Sequence, residues 1–366
     1  MKQVPIKDIC EKGSSALKQK EVLSAGIYPV YGASGIVGYL DTYHQEHPYI
    51  GIVKDGSGIG RVDFYPEKTS LIGTLQYILP KKGYDIRYIG YCLQSLDLSK
   101  YKQGAAIPHI YFRDYGERIV NVSEDISEQQ RIVTKLDEAF AEIDMIKAEA
   151  EKQLSEAKAL FQKALSQAMT PKEGWKKKTL KDISVISGDY GLSVPSKPFN
   201  GVRYLRITDI TDDGELNEEY VSANIDGEVK KEPLVEGDIL FARTGATVGK
   251  TLVYKKTFGE CLYAGYLIRY RLNPEIIIPK FMHYITHSQK YYDWVLLNQE
   301  AAAQPNISAK KYNLLEVLCP PLSEQQRIVE ELDELSENVK EIEALNNKLT
   351  AECDAMKQAL LRQVFE

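Results

Sequence analysis

Long apolar runs are missing from this sequence, and their absence excludes the first of several classes. No stretch approaches the roughly 18 consecutive apolar residues of a membrane helix. The opening "MKQVPIKDIC" has no apolar core of signal-peptide length, so a cytoplasmic protein is expected. Cysteine is scarce: Cys10, Cys92, Cys261, Cys319 and Cys353 show no C-x-x-C spacing, which suits buried thiols in a reducing compartment rather than disulfides or zinc. His283 and His287 stand four apart and His44 and His47 three apart, but no acidic or thiol ligand pattern accompanies either pair. No metal and no cofactor are therefore expected. Methyltransferase and nuclease signatures are lacking too. There is no NPPY-type loop (the only Asn-Pro is in "NPEI") and no PD-(D/E)xK pattern, so no catalysis is expected from this chain.

What is present begins with "FARTGATVGKT" at 241–251, which resembles a nucleotide-binding loop. That loop needs Gly, four residues, then Gly-Lys-Ser/Thr opening into a helix. Here Thr244 stands where the first Gly belongs. The residues that follow, "TLVYKKTFGECLYAGYLIRYRL", are rich in β-branched and aromatic types and read as strands. The glycines are expected to make a tight turn between strands, and "GSGIG" at 56–60 reads the same way. No nucleotide site is expected.

The net charge of −6 argues at first against a nucleic-acid partner. Its distribution alters that reading. Residues 1–126 and 170–322 each carry one more basic than acidic side chain, whereas the acidic excess lies in 127–169 and 323–366. All 24 tyrosines fall in the two longer blocks. Four segments of two kinds result.

A duplication explains them. "SEQQRIVTKLDE" from Ser127 recurs as "SEQQRIVEELDE" from Ser323, "QGAAIPHI" from Gln103 echoes "QEAAAQPNI" from Gln299, and "KDGSGIGRVDFY" from Lys54 echoes "RTGATVGKTLVY" from Arg243. "IKDI" ending at Ile9 likewise matches "LKDI" ending at Ile183. The chain reads as two copies of a module followed by a helix.

Both acidic blocks carry apolar residues at alternating spacings of three and four, the pattern of a coiled coil. Ser127 with Gln130, and Ser323 with Gln326, are expected to form capping boxes at the helix starts. Each helix would be about 64 Å long. An antiparallel pair is expected, in a register that places Ala139, Ala150, Ala157 and Ala164 opposite Cys353, Ile342, Leu335 and Ile328, and Ile146 opposite Asn346.

Two similar modules separated by two similar helices resemble the specificity (S) subunit of type I restriction–modification systems. The residues that carry the resemblance are "SEQQRIV" at both helix starts, "PKEGWKKKTLKDI" from Pro171, "QPNI" at 304–307, "YPVYGASGIVGY" from Tyr28 and "YLRITDI" from Tyr204. The Pro-Pro before the second helix is replaced by "SED" before the first.

The resemblance implies an α+β architecture with a pseudo-twofold internal repeat. Two α/β target recognition domains with mixed β-sheet cores, 1–126 and 170–322, would be separated by two long spacer helices, 127–169 and 323–366, forming an antiparallel coiled coil. It also implies a non-catalytic adaptor that reads a split target in double-stranded DNA, with methyltransferase (M) and restriction/translocase (R) subunits as partners. Two alternatives stay open: the specificity partner of a fused restriction–methylation enzyme, and a coiled-coil scaffold with two binding heads.

Lys54, Arg61, Arg243 and Lys250 occupy equivalent places in the two modules, which suits phosphate positioning common to both. Base readout should lie where the modules differ: Arg203, Arg206 and Thr208 in the second, and Tyr31, Ser34 and Tyr39 in the first. Each could equally be a solvated charge or a core tyrosine. Near-neutral modules imply modest DNA affinity alone, with partner subunits adding electrostatic grip.

Overall fold

The five-residue stretch "YIGIV" is buried at every position, as a strand covered on both faces must be. In the computed structural model, which describes residues 1–104, 108–225, 232–299 and 305–366, it is the strand β2 (Tyr49–Val53) of an antiparallel sheet. With β1 (Cys10–Ser14), β3 (Val62–Tyr65) and β4 (Leu75–Pro80) the order is β1-β4-β2-β3. A helix, α1 (Ile86–Ser95), buries Tyr88, Ile89, Cys92 and Leu93 in the core shared with this sheet. A second cluster unites Val30, Tyr49, Val53, Leu71 and Tyr77.

The second half repeats this plan. Strands β5 (Ser184–Tyr190), β6 (Ile239–Ala242), β7 (Thr251–Val253) and β8 (Leu267–Leu272) pair antiparallel in the order β5-β8-β6-β7. Here α3 (Pro279–Thr286) takes the place of α1. Each half also contains short parallel pairing, Val30 with Ser70 and Arg203 with Cys261, which makes its β structure mixed. All five cysteines are buried and unpaired. The α+β class with two sheet-rich halves is therefore observed.

The two remaining long elements are α2 (Ile126–Ala168) and α4 (Leu322–Phe365), neither interrupted by Gly or Pro. Their starts differ from the expected capping boxes. Both begin one residue before the serine, so Ser127 and Ser323 fall in the first turn. The Asp125 carboxylate accepts from Ser127 N at 2.9 Å, and the Pro321 carbonyl accepts from Glu324 N at 2.9 Å and Gln325 N at 3.0 Å. No helix among the described residues is long and apolar enough to cross a membrane.

The repeated "SEQQR…LDE" has a packing cause instead. Gln129 and Gln325 are both 0% exposed. Gln129 accepts from Asp85 N at 2.7 Å, at the start of α1, and donates to the carbonyls of Gly83 and Ser123. Gln325 accepts from Ile278 N at 2.9 Å, at the start of α3, and donates to the carbonyls of Ile276 and Pro320. Two turns on, Asp137 accepts from the Tyr91 hydroxyl and pairs with Arg87 at 2.7 Å. Asp333 does the same with Tyr284 and with Lys280 at 3.3 Å. Burial, with Asp137 adding to it, pushes the Tyr91 hydroxyl up to about 12. A buried amide left without these bonds would cost about 1–3 kcal/mol, so the same residues are needed at both joints.

The chain divides into two compact units, 1–152 with 345–366, and 153–344. Within each, the long helices run antiparallel. In the first, Lys147 pairs with Asp354 at 2.8 Å and Asp144 with Lys357 at 2.6 Å, and Ile132 and Leu136 share a core with Leu361 and Phe365. In the second, Lys158 pairs with Glu343 at 2.6 Å, and Leu165 shares a core with Ile328 and Leu332. This corrects the expected register. Asp354, not Leu345, lies across from Lys147, a slide of more than two helical turns, and Ile146 is 50% exposed rather than facing Asn346. The alanine-rich seam of α2 fits many slides equally well. The register observed is the one in which Ile132 and Leu136 share a core with Leu361 and Phe365, Leu165 shares one with Ile328 and Leu332, and the three ion pairs form.

Candidate nucleic-acid interface

The loop that resembles a nucleotide site joins two antiparallel strands in both halves: 54–61 links β2 to β3, and 243–250 links β6 to β7. The loops close alike, with Gly60 N to Val53 O at 2.8 Å and Gly249 N to Ala242 O at 3.0 Å. Gly60 and Gly249 have φ of 88° and 90°, conformations that L side chains rarely adopt. A Cβ at Gly249 would also lie 2.8 Å from a Val295 methyl. The glycine spacing thus builds a tight turn, and no helix follows it to hold phosphate.

Each loop rests on two further segments. Lys54 N donates to Thr74 O at 3.0 Å, and Arg243 N to Tyr266 O at 3.0 Å. Gly56 N approaches Pro108 O at 3.4 Å, Gly245 N reaches Pro305 O at 3.0 Å, and Ile110 N and Ile307 N return to the Lys54 and Arg243 carbonyls. Residues 108–110 and 305–307 are therefore the third side of one backbone platform built twice. Residues 105–107 and 300–304 of the repeated stretches lie outside the described residues.

The equivalent basic side chains on the platform are used differently. Lys54 Nζ lies 3.9 Å from the Asp55 carboxylate, which also meets His109. Arg61 is held by Asp63 at 2.8 Å and by the Ala33 carbonyl, tying the loop to the turn of the hairpin Tyr28–Leu40. Lys250 pairs with Asp212 at 2.7 Å and reaches the Ile210 carbonyl at 3.4 Å, tying the loop to the segment that follows the parallel-paired residues 203–205. The Asp63 hydrogen bond pushes the Arg61 guanidinium further up from its ordinary range. Arg243 alone is set by an uncharged partner, Asn306 Oδ1 at 3.2 Å, and by the Tyr190 ring 5.0 Å from its guanidinium carbon.

The residues expected at the points of difference are less open. Arg203 is 3% exposed; it donates to the Asn217 and Glu219 carbonyls at 2.7 and 2.8 Å and lies 4.2 Å from the Tyr220 ring centre. It braces the 217–219 segment, and its charge does not face solvent. Arg206 is joined to the buried Asp209 at 2.6 Å and to Glu219 at 2.9 Å, which also pushes it up. Thr208 is exposed at the surface of that turn. Tyr31 is half-buried with its ring 5.0 Å from Tyr65, and Tyr39 is half-buried with its backbone paired to Leu23. Ser34 is exposed in the hairpin turn.

Residues not singled out from the sequence stand closer to the platform surface. In the second half these are Tyr190, Tyr266 (60% exposed) and Asn306. In the first, the His109 ring lies 4.2 Å from that of Tyr111, tilted by 44°, and Arg113 lies over the Tyr111 ring at 4.6 Å. Their signal was available: His109 and Asn306 occupy matching places in the repeated stretches. Among the described residues no cluster of three or more metal-binding side chains occurs.

Comparison with known proteins places this arrangement. The family model of the type I restriction modification DNA specificity domain matches residues 1–156 and again 172–351. The specificity subunit of the type I restriction enzyme EcoBI of Escherichia coli is 24% identical over 271 residues, which cover 66% of this chain and 56% of that protein. That of StySPI of Salmonella potsdam is 25% identical over 308 residues, covering 78% and 66%. The matches thus span from little more than half to about two thirds of these relatives. A chain from a structure describing complex assembly and conformational transition of the type I R-M system superposes with a TM-score of 0.73 at 17% identity, covering 99% of this chain and 97% of that one. The HsdS subunit from Thermoanaerobacter tengcongensis gives 0.51 at 16% identity, covering 99% and 96%. At such identities the likeness establishes the fold.

Proposed function

We infer the function from one premise: the chain belongs to the type I restriction–modification DNA specificity domain family. We propose that it is the subunit that reads DNA sequence for such a complex, each half recognising one part of a split target. The chemistry would belong to methyltransferase and restriction subunits, and the chain itself would be non-catalytic. The unread spacer between the half-sites would reflect the length of the two long helices.

The observation that carries this reading is the doubled platform. Its backbone is held by the same hydrogen bonds in both halves, while the side chains on it differ: Lys54 against Arg243, Asp55 against Thr244, Thr74 against Tyr266, His109 against Asn306. A shared scaffold with divergent surface chemistry suits two half-sites of different sequence. Most basic groups there are neutralised internally, so affinity should be modest without the partners.

The test is methylome sequencing of cells that express the chain with its methyltransferase partner. The expected result is one bipartite methylated motif that appears only when the chain is present. A motif that persists without the chain would overturn the proposal, and so would methyl transfer by the purified chain alone.

A further inference from the structure

Arg243 differs from the other basic groups on the platforms in how its charge is held. Arg61 and Lys250 face carboxylates at 2.8 and 2.7 Å, and Lys54 has Asp55 beside it. Arg243 has no ion pair among the described residues. Its Nε is spent on Asn306, its main-chain N and O are bonded to Tyr266 and Ile307, and Tyr190 lies against its guanidinium. These contacts orient the planar group while leaving both Nη atoms without a partner among the described residues. The surroundings are open, with Tyr266 60% and Tyr190 38% exposed.

We propose that Arg243 reads a guanine in one half-site, donating from its two Nη atoms to O6 and N7 in the major groove. The inference rests on the DNA-reading role proposed above. Three observations carry it. The first is geometric: a fork with its plane already set suits the planar, two-acceptor edge of guanine and loses little freedom on binding. A phosphate contact needs a charge but no fixed plane.

The second is the partner. Asn306 is uncharged, so no carboxylate among the described residues offsets the positive charge of the guanidinium, unlike that of its counterparts. The third is that the other half lacks the holding groups. Tyr190 pairs with Ile268 as Ser14 pairs with Gln76, so a serine stands where the ring would be. His109, engaged with Asp55, stands in place of Asn306. A device present in one half and absent from the other serves a base of one half-site, not the backbone common to both.

The experiment is methylome sequencing with the methyltransferase partner, comparing the unaltered chain with Arg243→Lys and Arg243→Ala. Arg243→Lys keeps the charge and loses the fork. The expected result for both variants is relaxation at a single G of one half-site, with discrimination there falling roughly tenfold to a hundredfold. The other half-site and the spacer stay unchanged.

An unchanged motif in either variant, with methylation lowered uniformly in Arg243→Ala and retained in Arg243→Lys, would mean a phosphate contact and overturn the inference. A motif without G in the affected half-site would overturn it too. If both variants leave too little folded protein to methylate, Asn306→Ala decides: relaxation at one G supports the assignment, and an unchanged motif overturns it. Should the unaltered chain direct no motif at all, the DNA-reading role itself fails, a result separable from every outcome above.

Discussion

At the scale of single residues, the chemistry of a side chain was legible and its commitments were not. Arg203 and Arg243 both look like DNA-contact candidates in sequence. One is buried against main-chain carbonyls and the other is held at an open surface by a ring and an amide. Nothing local distinguishes them, because their partners, Asn217, Glu219, Tyr190 and Asn306, come from other parts of the chain. The histidine pair shows the same limit. The His283 and His287 rings lie 4.1 Å apart, and burial holds both below the ordinary imidazole range, His283 at about 2. In the unfolded chain each takes a proton near 6.5. The unfolded state therefore binds more protons below that pH, and stability present above it is lost as pH falls. Each histidine contributes a slope of up to about 1.4 kcal/mol per pH unit. Denaturant titrations between pH 6.5 and 4.5 should show a shallower slope for His283→Gln than for the unaltered chain. Equal slopes would mean that His283 is protonated in the folded state.

At the scale of elements, strand and helix classes followed from short-range pattern, whereas pairing did not. The β-branched and aromatic run "TLVYKKTFGECLYAGYLIRYRL" and the alternating three-and-four spacing name their own structures. The capping boxes were misplaced by one residue: the Asp125 carboxylate caps the first long helix, and the second starts on the backbone carbonyl of Pro321. Asn346 illustrates what pairing decides. It does not face Ile146, yet its Oδ1 is buried with no hydrogen-bond partner among the described residues. An amide oxygen in that state costs about 1–3 kcal/mol, and a leucine at a seam position would not. Asn346→Leu should raise the melting temperature in a calorimetric scan. A clear fall would show that the amide makes a bond that stabilises the helix pair.

At the scale of the whole molecule, the helix pair is proposed to set the spacing of the split target, and the observed register states how to alter it. Removing Asp144–Ala150 requires removal of 351–357, the heptad across from it, so that the Lys147–Asp354 and Asp144–Lys357 pairs leave together. A whole heptad preserves the stripe. The loss of about 10 Å corresponds to up to about three base pairs at ~3.4 Å each. Methylome sequencing should then find both half-sites intact with a shorter spacer. Altered half-sites with an unchanged spacer would end the idea of a helical ruler.

The sequence by itself determined the duplication, the alternation of two sheet-rich modules with two long helices, and the turn that only imitates a nucleotide loop. These depend on residue spacing and on glycine's freedom, both of which act within a few residues. Tertiary structure decided the helix register, the joints made by Gln129 and Gln325, and which basic groups are left with a free edge. Those depend on side chains that meet from distant positions: a heptad stripe is degenerate under sliding, and a charge carries no mark of its partner until folding brings one within about 4 Å.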